Sequence, residues 1–420
     1  MTGSGKSVIV VGAGIVGVAT ALCLQMEGHR VTVLDPKAPG TATSFGNAGS
    51  IAIGGMYPTG SPGNLKQVPK MLLDPASAVS VRWSYLPRML PWFVRFFAAS
   101  RPSRVAQIAS ELATIVPTAG AAHLALMKAH RIEGIVKPLG WLKVYTGEKS
   151  FAGTREERET IERLGANVQI LNQDELRQLE PALAPHFTHG AFQPDNHFVT
   201  SPVKLSEAYA EAFTGLGGRF LAEKVTRFEF DGNRVRKVVT DLGMYEADDV
   251  VVCAGAWSGR ICRMLGFTVP LDTERGYHLN ITSEDGPKLS RPVVVGDHSF
   301  VLAPMQDGIR LTSGVEFAGL DAPPDFRRIR RMVPLAQKAL PGLSDTVTRE
   351  WLGFRPSTPD SKPVIGSAPG ISNVFLGFGH GHIGLTLAAQ TGVMLAALVS
   401  RRMPEMDIAP FSAERFSLSV

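Results

Sequence analysis

Gly12, Gly14 and Gly17 stand at the spacing Gly-x-Gly-x-x-Gly, directly after a β-branched run at 8–11 and directly before an apolar stretch at 18–27. That spacing suits phosphate binding. The first glycine permits a tight turn, the second lets backbone approach a pyrophosphate, and the third packs helix against strand. The helix that starts there, with Ile15 and Val16 in its first turn, offers N–H groups and a positive dipole end to the phosphates. Gly28 closes the helix, and a second strand at 30–34 ends in Asp35, whose carboxylate can accept hydrogen bonds from a ribose diol. Strand, turn, helix, strand and acid within about thirty residues predict a dinucleotide site. The earlier Gly3, Ser4, Gly5, Lys6, Ser7 imitates the end of a P-loop, but it lacks the upstream glycine and the preceding strand. It reads as a polar leader.

A second glycine turn separates the two dinucleotides that share this fingerprint. Residues 373–378 form a strand candidate that feeds Gly379, His380, Gly381, His382, Ile383 and Gly384, and a helix follows from 385 to about 399. A helix start far along the chain aimed at the cofactor has a purpose for FAD, because its dipole stabilises the anionic reduced ring. An extended NAD has no such need. His380 and His382 at i, i+2 on a glycine turn are poorly spaced for a metal, and backbone contact to the flavin is the preferred reading. A third strand at 249–252 ends in the small residues Cys253, Ala254 and Gly255, as fits a strand returning beneath the dinucleotide. Before it, a hairpin turning at Asp231, Gly232 and Asn233 suggests a β-meander that brings the backbone near Val225 alongside the adenine.

These turns need a large scaffold, and the composition allows one. The chain has 420 residues, 44% hydrophobic and 19% charged, the balance of a compact globule of two or three domains rather than a disordered or fibrous chain. Its 43 Lys+Arg against 38 Asp+Glu leave a formal charge of +5 with no run of like charge, so no nucleic-acid partner is expected. Cys23, Cys253 and Cys262 offer neither a C-x-x-C pair nor a zinc spacing; no disulfide framework and no metal site is indicated, and they read as reduced, buried thiols. The start of the chain resembles neither a signal peptide nor a membrane anchor, which gives a cytoplasmic expectation.

Together the motifs resemble the FAD-dependent D-amino-acid oxidase superfamily, nearest to its bacterial D-amino-acid dehydrogenases, over nearly the whole chain. Thr43, Ser44, Phe45, Gly46, Asn47, Ala48 and Gly49 are similar to the family loop that follows the acid and passes the flavin. Arg275, Gly276, Tyr277, His278 and Leu279 are similar to the segment that opens the substrate-facing sheet, and residues 351–360 to its arginine-containing signature. Gly46 is a departure, since the family usually has alanine there.

The resemblance implies an α/β fold in which a Rossmann-like FAD-binding domain (1–60, 196–262 and 350–415) is interleaved with a mixed-sheet substrate-binding domain (61–195 and 263–349). It implies FAD, held non-covalently, because the cysteine that carries flavin in sarcosine oxidases is replaced here by Gly353. Ser44, Asn47, Ala48 and Gly49 join the FAD contacts. Arg355 is the expected carboxylate partner of an amino-acid substrate, Tyr277 a second donor and His278 a weaker candidate, since neighbours on a strand point to opposite faces. A pairing of Arg355 with Asp360 is the bland alternative. His298 is read as a turn residue. Hydride transfer from Cα to FAD gives an imino acid, which water converts to a 2-oxo acid and ammonia; no catalytic base is required. The alternatives are a cyclic or N-alkylated substrate (D-proline, hydroxy-D-proline, sarcosine), an oxidase using oxygen, or a flavin-bearing subunit of a heteromeric complex. The electron acceptor is expected to be a quinone or another carrier.

The aromatic stretch at 83–97, interrupted by Pro87 and Pro91 and flanked by arginines, has three readings: substrate-domain core, a lid, or a membrane-surface helix giving peripheral contact with the inner membrane. Core ranks first. The last residues, from 401, read as a loosely held tail.

Overall fold

Val8, Ile9, Val10 and Val11 are at most 4% exposed, which is possible only for a strand covered on both faces. In the computed structural model, which describes residues 5–61, 79–282 and 286–416, they form a central strand of a six-stranded sheet. Its strands run in the order Arg219–Leu221, Arg30–Leu34, Ser7–Val11, Asp249–Val252, Val374–Phe378 and Val364–Ser367. All are parallel to their neighbours except the last pair. The helices Ile15–Met26 and Gly384–Val399 both leave strand ends on this sheet and pack on one another. Their contact is close: a Cβ on Gly392 would lie 2.9 Å from the Ala19 carbonyl oxygen. A three-stranded meander, Val225–Asp231, Arg234–Thr240 and Met244–Glu246, follows, with its first turn at the expected hairpin.

A larger, nine-stranded sheet runs Val347–Ser357, Asp272–Ile281, Gly308–Phe317, Phe300–Met305, Val293–Val295, Trp141–Tyr145, His189–Gln193 and Gln169–Leu171, with Val79–Val81 alongside Gly308–Phe317. It is mixed, as expected for the substrate-binding domain. The strand Val347–Ser357 belongs to this sheet, so the division expected at residue 350 does not coincide with a sheet boundary. Of the segment read as a loose tail, residues 401–416 are described and are not loose. Phe411 is fully buried, and Arg415 Nε donates to Asp360 at 2.8 Å. The P-loop reading falls partly on Gly3 and Ser4, outside the described residues; Lys6 is tied to Asp249 at 2.9 Å.

Candidate active site

The turn after Ser7–Val11 is built from three glycines with separate tasks. Gly12 has φ +111°, a conformation that strains any L side chain, and a Cβ there would lie 2.4 Å from the Cys253 carbonyl oxygen. A Cβ on Gly17 would lie 1.9 Å from the Gly12 carbonyl oxygen, so only glycine lets the helix sit this close to the strand. Gly14 meets nothing nearer than Ser44 Oγ at 3.5 Å and lines a cavity of about 880 Å³. Beside it, Asp35 accepts the Ala13 N–H and the Lys37 N–H, each at 2.8 Å. Burial pushes its carboxyl up, and these two N–H groups only partly offset the effect. Ser44 Oγ accepts the Ile15 N–H at 2.9 Å. The arrangement fits FAD: a Cβ-free face at Gly14, a helix N-terminus, and the half-buried Asp35 carboxylate on one continuous cavity wall.

At the other end of that cavity two strands of the large sheet lie edge to edge. Glu274 is the antiparallel partner of Arg355, and Gly276 of Gly353. Side chains alternate along a strand, so Glu274 and Gly276 share a face, as do Trp351, Gly353 and Arg355, and all five line the cavity. The two glycines leave room for the two large side chains. A Cβ on Gly276 would lie 2.3 Å from Arg355 Nη2, and a Cβ on Gly353 would lie 1.9 Å from Trp351 Cη2. Arg355 Nη1 donates to the Gly314 carbonyl at 3.0 Å. Burial lowers the Arg355 pKa, and the Glu274 charge opposes that shift. Burial pushes the Glu274 carboxyl up, but His382 and Arg355 outweigh it and hold the group below its ordinary range. His382 Nε2 meets Glu274 Oε2 at 2.7 Å.

The apolar wall of this end comes from the helix Leu86–Ala99, which is continuous despite Pro91. Trp92 and Met89 are buried, and Trp92 Nε1 donates to the Ser357 carbonyl at 3.2 Å. Phe93 meets Phe317 edge-on at 5.3 Å. Leu86, Leu90, Phe93 and Phe97 recur at helical spacing on the cavity side, with Leu90 57% exposed and Trp83 70% exposed at the rim. The stretch read first as core is therefore core on one side and cavity wall on the other.

Most of the candidate cofactor residues meet in one place. Gly14, Ile15, Val16, Asp35, Ser44, Asn47, Ala48, Cys253, Ala254, Gly255, His380, Gly381, His382, Ile383 and Gly384 all line the cavity. Gly12, Gly49, Val225 and Gly379 are not among the described lining residues; Gly12 shapes the turn, while Val225 packs in the core beside Ile9, Val11 and Leu34. The His380 side chain turns inward to Thr391 at 2.9 Å, and burial takes its pKa down to about 3. Each cysteine is buried, which pushes its thiol up to about 12.

Two expected substrate contacts are not brought to the cavity. Tyr277 points to the opposite face of its strand from Gly276, where its hydroxyl donates to Glu316 at 2.6 Å and packs edge-on against Phe326. His278 shares the cavity face but sits beyond its wall, stacked on Trp351 at 4.9 Å, with Nδ1 3.4 Å from the Gly46 carbonyl oxygen. Burial and the nearby Arg310 lower its pKa to about 3. His298 is exposed and stacks beside Phe300. Asp360 pairs with Arg415 and Lys362, which leaves Arg355 to the cavity. Gly46 also proves to matter, because a Cβ there would lie 2.0 Å from Trp351 Cζ3. Sequence reasoning missed Glu274; its signal was a carboxylate in an otherwise buried strand, two positions before Gly276.

Comparison with known proteins agrees with this geometry. Residues 7–398 match the family model described as FAD dependent oxidoreductase. The chain is 34% identical over 423 residues to a D-amino-acid oxidase of Bradyrhizobium diazoefficiens, covering 98% of this chain and 99% of that one. It is 33% identical to D-amino acid dehydrogenase 2 of Mesorhizobium japonicum, covering 95% and 98%. Among solved structures, glycine oxidase from Geobacillus kaustophilus superposes with a TM-score of 0.75 at 22% identity, covering 98% of this chain and 99% of that one.

Proposed function

This chain belongs to the family of FAD-dependent oxidoreductases, and from that premise we propose that it oxidatively deaminates D-amino acids. The observation that carries the reading is Arg355, a guanidinium held over Gly276 on the wall of the same cavity that reaches the Gly14 turn and Asp35. Glu274 opposes it on the neighbouring strand, and a planar guanidinium that also faces the cavity suits a substrate carboxylate best. Arg355 binds the substrate carboxylate and so fixes where Cα lies. Trp351 and Phe354 bound the space around it, and the helix Leu86–Ala99 keeps water from the side-chain end. Bound FAD supplies the acceptor for the hydride that leaves Cα. No side chain has to remove a carbon-bound proton, and the imino acid released to water hydrolyses to a 2-oxo acid and ammonia. The curated relatives with these names support the D-amino-acid class.

In this reading the FAD-binding domain is 1–60, 196–262 and 350–415, with Trp351, Phe354 and Arg355 of its last segment also facing the substrate, and 61–195 and 263–349 are the substrate-binding domain. The acceptor of the electrons is a quinone or similar carrier reached at the apolar rim of Trp83, Leu90, Val94 and Phe97, which gives the protein peripheral contact with the cytoplasmic face of a membrane. The helix Gly384–Val399 is apolar and long, but it is buried against Ile15–Met26 and takes no part in that contact. Purified protein should release FAD on denaturation and, with an artificial acceptor, turn a D-amino acid into equal amounts of 2-oxo acid and ammonia. Equal rates with the L-isomer would sink the stereochemical assignment.

A further inference from the structure

We infer that Glu274, oriented by His382, binds the amino group of the substrate, so that the site recognises a zwitterion rather than a carboxylate alone. The assignment rests on the deamination reading and deepens it. Glu274 and Arg355 are directly opposed on adjacent antiparallel strands, where facing Cβ atoms lie about 4.5–5.5 Å apart. Both line the cavity. Val315, Phe317, Trp351 and Phe354 are among the surrounding wall residues, and Glu274 and Arg355 set an anion and a cation side by side there, with His382 behind the anion.

An α-amino acid carries its two charges on neighbouring atoms of one carbon. Seated with its carboxylate on Arg355, it brings its nitrogen toward Glu274. His382 fixes the orientation of the carboxylate. An ionised carboxylate only accepts, so the 2.7 Å contact makes Nε2–H the donor. Glu274 is 5% exposed, and an anion so buried is tolerable only with partners of opposite sign. A bound ammonium adds one more, and the N–H proton it must give up for hydride to leave Cα can pass to the Glu274 carboxylate.

The arrangement has a consequence of definite sign. Glu274 repels a plain carboxylate at Arg355 and attracts an amine, so removing its charge should move the two ligand classes in opposite directions. The test compares D-leucine with its deaminated skeleton, 4-methylpentanoate, on the FAD-loaded enzyme and on Glu274→Gln. Binding of the acid is read from the flavin absorbance band, and D-leucine from KM and kcat. The variant should raise KM for D-leucine about tenfold or more, as for loss of a charge-assisted hydrogen bond, while tightening 4-methylpentanoate several-fold. His382→Gln, which keeps the Glu274 charge, should retain the preference for the amine. In the unaltered enzyme 3-methylbutylamine, which lacks the carboxylate, should compete with D-leucine.

If Glu274→Gln weakens acid and amino acid together, or 3-methylbutylamine fails to compete, the assignment is overturned and Glu274 only shapes the wall. If no D-amino acid reduces the unaltered enzyme, the deamination reading itself fails, a result distinct from either of those.

Discussion

In the proposed reading substrate binding turns on Arg355, and its surroundings say what a change there should do. Its fork lies over Gly276 and shares one hydrogen bond with the Gly314 carbonyl, leaving its remaining donors for a ligand. Arg355→Lys keeps the charge but replaces a planar two-point contact with a point charge. It should raise KM for a D-amino acid by about tenfold or more, a loss of about 1.4 kcal/mol or more, with a smaller change in kcat. Steady-state kinetics under saturating acceptor would measure it; an unchanged KM would remove Arg355 from the carboxylate. At this scale the sequence was readable for the close approaches at Gly12 and Gly17 and for the placement of Asp35 and Arg355 on one cavity. It was unreadable where a side chain's direction decided the outcome. Tyr277 and Gly276 are neighbours in the chain but lie on opposite faces, and only the pairing register shows that the cavity takes the face of Glu274 and Gly276.

At the scale of elements, the proposed reading makes the helix Leu86–Ala99, which lines the cavity, the selector of substrate side chains. It is anchored at Trp92 to the strand that carries Arg355, and Phe93 packs on Phe317, three residues beyond the Gly314 carbonyl that holds the guanidinium. A substrate seated on Arg355 therefore points its side chain along a wall of Leu86, Leu90 and Phe93. Leu90→Glu should leave FAD binding intact, weaken D-leucine and D-phenylalanine several-fold or more, and affect D-alanine least. Burying a leucine-sized side chain is worth about 1.5–3 kcal/mol, much of which a carboxylate in the wall forfeits. Ratios of kcat/KM across the three substrates would show it, and an equal loss for all would contradict it. The aromatic stretch could be noticed in the sequence because aromatic residues crowd there. Its division into a buried side and a cavity side could not, since both faces are apolar and two prolines disguise a helix.

For the whole molecule, the segment 401–416 closes the fold rather than trailing from it. Arg415 bridges to Asp360, whose carboxyl also faces Lys362, and both side chains are about 12% exposed. Burial alone would raise the Asp360 pKa, but the two cations win and hold it below the ordinary carboxylate range. A carboxyl with a lowered folded pKa stabilises fully above its unfolded value of about 3.9, and that stability is lost as pH falls through the folded value. Arg415→Ala removes the nearer of the two cations from a buried anion, leaving Lys362, and should cost up to about 3–5 kcal/mol at neutral pH, with a smaller difference from the unaltered protein in strong acid. Denaturant midpoints at two pH values would test both signs. The two-sheet plan was legible from the glycine turns and β-branched runs. The closing segment was not, because Phe411 and Arg415 act through partners near residue 360 rather than through any local pattern.

The account as a whole stands on one reaction, and anaerobic mixing of the FAD-loaded protein with single amino acids tests it most directly. D-amino acids with apolar side chains should bleach the flavin absorbance within the mixing experiment, while their L-isomers leave the yellow spectrum unchanged. A flavin that dithionite reduces fully but no D-amino acid bleaches would contradict the account.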